Sequence, residues 1–279
     1  MEAVRGDAMS EQDVVAAADG AQVIVHAVNP PGYRKWSELV LPMIDHTIAA
    51  ARRHGARIVL PGTVYNFGPD AFGHITEDSP QHPVTRKGKI RVELERRIQE
   101  SGAKALIVRA GDFFGPTSTT NSWFAQLAKP GKPLRSITDP GRPGVGHAWA
   151  YLPDVAETMA QLLERDDLPA FARFHMRGQW DADGTQMIAA IRRVAGRELP
   201  VRSLPWWLLG ALSPVVPLFR ELREMRYLWQ VPVELTDDRL VAFLGAEPRT
   251  PIDEAVRATL AGLGCLASDP ASVGTPARI

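Results

Sequence analysis

Three apolar runs constrain this chain more than any other feature: AQVIVHAV at 21–28, ARIVLPG at 56–62 and AKALIVRAG at 103–111. They are continuous rather than alternating, the pattern of strands buried on both faces. Between them lie segments of helical period. WSELVLPMIDHTIAAARRHG, 36–55, ends at Gly55, with Arg52, Arg53 and His54 suited to the negative end of a helix dipole. In KGKIRVELERRIQESG, 87–102, Ile90, Leu94 and Ile98 share one face and Glu93 can pair with Arg97. A strand at 3–5 and a two-turn helix in EQDVVAAAD begin the series. Such alternation predicts an α/β fold, a doubly wound, mostly parallel sheet with helices on both faces. Ligands then bind beyond the carboxyl ends of the strands. The turns there carry Asn29 after Val28, Thr63 and Tyr65 after Leu60, and Asp112 after Arg109.

Beyond about residue 115 the pattern loosens. The stretch 129–149 is rich in glycine and proline and reads as a loop or hairpin. Helices follow at 151–166, entered through Pro153, and at 183–197, capped by Thr185 or Asp183. A further strand is expected at 173–178. The last helix, 250–264, has Thr250 and Asp253 as a capping box, Pro251 at the first helical position and Gly264 as its stop. The expected division is a Rossmann-like domain over 1–168, a smaller α+β substrate domain over 169–264 interleaved with it, and a disordered tail over 265–279.

Composition narrows the function classes. Lys plus Arg and Asp plus Glu are both 32, so no whole-protein field attracts nucleic acid, and basic residues are not interleaved with aromatics. Cys265 is the only cysteine, which rules out a disulfide framework and a thiolate metal cage and fits a reducing, cytoplasmic setting. His74, His82, Glu77 and Asp78 are not spaced as metal ligands, and no metal is expected. His26, on a strand, reads as a core histidine. The most apolar run, PWWLLGALSPVVPLF at 205–219, is short of the roughly 20 residues a membrane span needs. It is expected to form a buried helix pair or a pocket wall, with interfacial docking through Trp206 and Trp207 as the alternative.

Seven landmarks occur in order: RGD at 5–7, VIVHAVNPP at 23–31, TVYNFGP at 63–69, EDSP at 77–80, KIRVE at 89–93, VRAGDFFGP at 108–116 and YLPDVAE at 151–157. Together they resemble the extended short-chain dehydrogenase/reductases of the NAD-dependent epimerase/dehydratase type. That resemblance implies NAD or NADP as cofactor, a small-molecule substrate, and a homodimer through helices 36–55 and 87–102. It also places Asp7 at the adenine, Ala27, Asn29 and Gly111 along the cofactor wall, and Lys89 on the nicotinamide ribose.

Three departures accompany it. The glycine-rich turn after a first strand is missing, so the sheet is expected to lack its first strands. Either the start is shortened, which is the expectation, or something else covers the exposed edge. Thr85 stands four residues before Lys89, where the family has its proton-donating tyrosine; an alcohol is too weak an acid for that role at neutral pH. Pro61 stands where the family has a substrate-orienting serine or threonine. The expected function is an NAD(P)-dependent oxidoreductase or epimerase/dehydratase-like protein with altered chemistry. Lys89 would sit on the ribose, and Tyr65, with Thr63, or Asp112 would handle protons. The alternatives are a non-catalytic cofactor sensor and an inactive fragment.

Overall fold

The computed structural model describes residues 3–30, 35–118 and 122–266. The first half builds α1 (Glu11–Ala17), β1 (Val23–Val25), α2 (Trp36–His54), β2 (Arg57–Gly62), α3 (Arg86–Glu100), β3 (Ala105–Arg109) and β4 (Asp112–Phe114). There follow α4 (Phe124–Leu127), β5 (Ile137–Asp139), β6 (His147–Tyr151), α5 (Leu152–Leu163), β7 (Phe171–His175) and β8 (Gln179–Asp181). The chain ends with α6 (Gln186–Ala195), β9 (Val201–Ser203), α7 (Trp206–Leu212), α8 (Pro217–Glu224), α9 (Asp238–Leu244) and α10 (Ile252–Gly262).

The central sheet is four-stranded and parallel, in the order β1-β2-β3-β7. Its side chains alternate between two cores. Ile58, Leu60, Ala105 and Ile107 face α2 and α3, meeting Val40, Ile44, Leu94 and Ile98. Val59, Leu106 and Val108 face the other way, onto Val155, Met159 and Leu162 of α5 and Leu240 of α9. Each fully buried leucine or isoleucine contributes about 1.5–3 kcal/mol against exposure, and both faces need cover, which is why the runs are continuous. The expected doubly wound sheet is the observed one.

The N-terminal part differs from expectation. No strand forms at 3–5, and β1 covers only three residues of the run 21–28. α1 lies along α2, where His46 and His54 meet the carbonyls of Ala8 and Val15. Among the described residues no strand pairs with the outer edge of β1, which leaves Val23 and Val25 exposed.

Strands from both sides of residue 168 contribute to each sheet. β7 lies beyond it yet completes the first sheet, while β4 and β6 lie before it and belong to the second lobe. There β4 runs parallel to β6 and β6 antiparallel to β8, and β5 pairs with β9. β5 and the start of β6 thus occupy the stretch read as a loop or hairpin, but they pair with other strands and not with each other. At the last helix Pro251 is the cap residue rather than the first helical one, and no capping box forms: Thr250 donates to Asp154, 2.6 Å, while Asp253 pairs with Arg193. Cys265, the first residue of the expected tail, is buried with its thiol on the Lys129 carbonyl. Residues 267–279 lie outside the described residues.

Two buried charge clusters stand out, one between the lobes and one within the first. Lys87, with no exposed surface, pairs with Glu221 and, at 2.7 Å, with Glu224, fastening α8 to the start of α3. Arg109 is equally buried and pairs with Glu95, which also accepts from Asn66 at 2.9 Å. Arg109 Nη1 donates to Nε2 of His175 at 2.9 Å, and the His175 backbone donates to Glu77.

Candidate active site

A cleft of about 480 Å³ opens beyond the carboxyl ends of β1, β2 and β3. Volumes of this order suit a small ligand. Ala27 and Asn29 line it after β1, Pro61, Thr63 and Tyr65 after β2, and Asp112 after β3. The position follows from the topology: parallel strands deliver their following turns to one end of the sheet.

Thr63 caps a short 3-10 turn, Val64–Asn66, and this turn sets Tyr65 into the wall as a nearly buried ring. Arg91 reaches the cleft from α3, donating to Asn29 at 3.0 Å and lying over the Trp36 ring. His26 also lines the cleft, with Nδ1 2.8 Å from the Thr47 hydroxyl. Burial first, and then the Arg91 charge, lowers its pKa to about 4. It is neutral at ordinary pH.

Asp112 has a partner that sequence reasoning missed. Its Oδ2 lies 2.9 Å from Nε2 of His147, on β6, whose Nδ1 faces the Leu228 carbonyl at 3.3 Å. A carbonyl and a carboxylate both accept, so the imidazole N–H donates, and the Asp112 carboxylate is the shorter of the two contacts. Asp112 and His147 form one hydrogen-bonded pair at the cleft wall. Trp229 stacks on the imidazole, with centroids 3.7 Å apart and planes at 8°, and fixes its orientation. The phenol of Tyr227 is buried without a hydrogen-bond partner among the described residues. Burial, and then the Asp112 carboxylate, push its pKa up, so it stays protonated. No spacing rule links positions 112 and 147; β4 and β6 bring them together by pairing Asp112 with Trp149.

Of the other expected residues, some stand elsewhere. Thr85 is the N-cap of α3, its hydroxyl accepting from Gly88 N at 3.0 Å. Lys89 lies on the exposed side of α3 and does not line the cleft, because Lys87 and Arg91, two residues to either side, take the inward face. Asp7 is exposed and caps the turn before α1, accepting from Met9 N at 2.9 Å. Gly111 works through its size: a Cβ there would stand 2.2 Å from the Ala148 carbonyl oxygen, so only glycine lets the Asp112 strand approach β6. Among the described residues no three His, Cys, Asp or Glu side chains cluster as for a metal ion.

The family model described as "RmlD substrate binding domain" matches residues 44–203, more than half of the chain. The chain belongs to the RmlD substrate binding domain family. Its fold is that of the extended short-chain dehydrogenase/reductases. MoeE5 in complex with UDP-glucuronic acid and NAD superposes with a TM-score of 0.71 at 15% identity, over 93% of this chain and 84% of that one. RMD from Pseudomonas aeruginosa complexed with NADPH gives 0.69 at 17%, over 94% and 88%. UDP-glucuronic acid 4-epimerase from Bacillus cereus in complex with NAD gives 0.72 at 15%, over 93% and 79%. At these identities the likeness is one of fold. A search of curated protein sequences found no match. Within the RmlD family match lie Thr63, Tyr65, Arg91, Asp112 and His147; Ala27 and Asn29 precede it.

Proposed function

We propose that this protein is an NAD(P)-dependent oxidoreductase or epimerase/dehydratase-like enzyme acting on a small molecule of the nucleotide-sugar kind, with Asp112 and His147 as its acid–base pair. The observation that carries this reading is the 2.9 Å contact between the Asp112 carboxyl and the His147 imidazole at the wall of the cleft. The fold-level neighbours that hold NAD or NADPH, some with UDP-sugars, support the cofactor and the substrate class.

The cleft fits the nicotinamide–ribose half of a dinucleotide. It is lined by Ala27 and Asn29 on one side and Tyr65 on the other, and Arg91 supplies a cation facing it. A bound nicotinamide would supply hydride transfer. The remaining work belongs to the chain. Arg91, rather than the outward-facing Lys89, orients the polar groups of the ligand. Tyr65 and Trp36 close the walls against water. Asp112 gives or takes a proton at Oδ2, with His147 Nε2 as the other end of the same hydrogen bond and Trp229 holding the imidazole in place. General acid–base catalysis of this kind contributes roughly 10²–10⁴-fold.

Titration of the purified chain with NADH and NADPH, followed by fluorescence, tests the cofactor assignment. Saturable binding in the low micromolar range is expected, and a folded chain that binds neither nucleotide would sink it. A second reading, a cofactor-binding sensor without turnover, is favoured by one observation: the residue at the family's tyrosine position is spent as a helix cap. Binding of both nucleotides with no turnover across a panel of UDP- and GDP-sugars would select it.

A further inference from the structure

The run 205–219 is neither the buried helix pair nor the pocket wall expected of it. In α7 only Leu209 is buried. Trp206 turns inward, its indole donating to the Pro140 carbonyl at 2.9 Å and its ring lying under Arg226. Trp207 points away, with 76% of its surface exposed, and Val215 is 75% exposed. Leu208, Ala211, Leu212 and Pro214 are exposed with them. A tryptophan and several aliphatic side chains thus project from one short helix and the turn after it, a cost to solubility unless something covers them.

The charge around this face says what covers it. Between residues 199 and 233 the chain has four arginines, Arg202, Arg220, Arg223 and Arg226, and two glutamates, Glu221 and Glu224. Both glutamates are withdrawn from the surface by buried Lys87. Two arginines border the face: Arg223 donates to Ser213 at the end of α7 and Arg226 covers Trp206; Arg202 on β9 and Arg220 on α8 are exposed on the flanking elements, Arg220 3.6 Å from Glu221. An apolar centre carrying a tryptophan, flanked by cations whose counter-charges are internal, matches the interface of an anionic bilayer. There, apolar side chains enter the acyl boundary and basic residues meet the headgroups. A protein interface also has a polar rim and is enriched in Trp and Arg, so the test below separates the two occupants. No described helix is long and apolar enough to cross a membrane, so the contact is peripheral.

We propose that α7 and the turn to α8 dock this protein onto anionic lipid surfaces, with Trp207, Leu208, Leu212 and Val215 inserted and Arg202 and Arg220 at the headgroups. This does not depend on the reading of the cleft.

The test is flotation of the full chain with two sets of vesicles, pure phosphatidylcholine and phosphatidylcholine with about one third phosphatidylglycerol. The chain is expected to float with the anionic vesicles only, and less as salt rises. Trp207→Ser with Val215→Ser, which replaces exposed side chains and leaves the melt unchanged, should lower the bound fraction about tenfold or more. Arg220→Glu should weaken binding to the anionic vesicles alone. A chain that stays soluble with both sets, or a double variant that floats as well as the wild type, overturns the proposal. So does a wild type that is dimeric by light scattering and a double variant that is monomeric, neither floating, because the face would then belong to a second copy.

Discussion

His147 and His175 each stand on a strand against a charged group, His147 in the antiparallel pairing of β6 with β8 and His175 in the parallel pairing of β3 with β7, yet their surroundings differ in sign. His175 has its Nε2 toward Arg109, a donor only, and its Nδ1 toward the Ile75 carbonyl, an acceptor only. That arrangement admits one tautomer, the neutral one with hydrogen on Nδ1. Burial, and then the Arg109 charge, lower its pKa to about 3. His147 meets acceptors at both nitrogens, one of them the carboxylate of Asp112. The partner's sign sets the difference. A cation holds a histidine neutral in the core, whereas an acid at a cleft wall gives it the partner that the proposed acid–base role needs.

Five experiments can break or sharpen that contrast. Arg109→Met should remove the cation and leave Glu95 buried without its guanidinium, costing about 3–5 kcal/mol in a denaturant melt. A loss under 1 kcal/mol, on the order of a surface change, would show that the cluster is not structural. Asp112→Asn should do the reverse, melting close to the wild type but turning over roughly 10²–10⁴-fold more slowly on any nucleotide sugar found to react. Unchanged turnover would remove Asp112 from the chemistry.

The third concerns acid stability. His26 has a folded pKa near 4 against about 6.5 in the unfolded chain, so the unfolded chain binds the extra proton between those values. Its contribution is complete above pH 6.5 and is lost as pH falls towards 4. Over that window the wild type should lose about 3 kcal/mol more than His26→Asn, measured as paired denaturant melts. Parallel losses in the two proteins would contradict the assignment. Fourth, Arg91→Ala should weaken dinucleotide binding about tenfold, as expected for loss of a charge-assisted contact, and Lys89→Ala hardly at all. The opposite ranking would restore the family's lysine to the ribose. The smallest effect belongs to Thr85→Ala, about 1 kcal/mol of stability from the lost cap. A larger fall in nucleotide binding than in stability would place Thr85 in the site after all.

Much of the scaffold was legible because period is local. The two faces of Arg57–Gly62 and of Ala105–Arg109 demand cover on both sides, and the inward stripe of α3 is written in Ile90, Leu94 and Ile98. Part of the cleft was legible too, since the turns after parallel strands converge on one end, which places Asn29, Thr63, Tyr65 and Asp112 together; Ala27 came from the family resemblance. His147 was not. It lies in a stretch dense in glycine and proline, and only the pairing of β4 with β6 sets it beside Asp112. The facing of Lys89 was misjudged for a related reason. Family spacing marks a position on the helix, but the buried Lys87–Glu221–Glu224 cluster and the inward Arg91 show which side of α3 lies against the rest of the molecule.

The sequence by itself determined the α/β class, the parallel sheet and the end of it that holds the cleft, because apolar period and strand order are properties of contiguous residues. Only the tertiary structure decided which charges are buried in pairs, which histidine meets a carboxylate and which face of residues 206–215 meets solvent. Those outcomes depend on partners 35 to 137 residues away along the chain, and no local pattern encodes such a meeting.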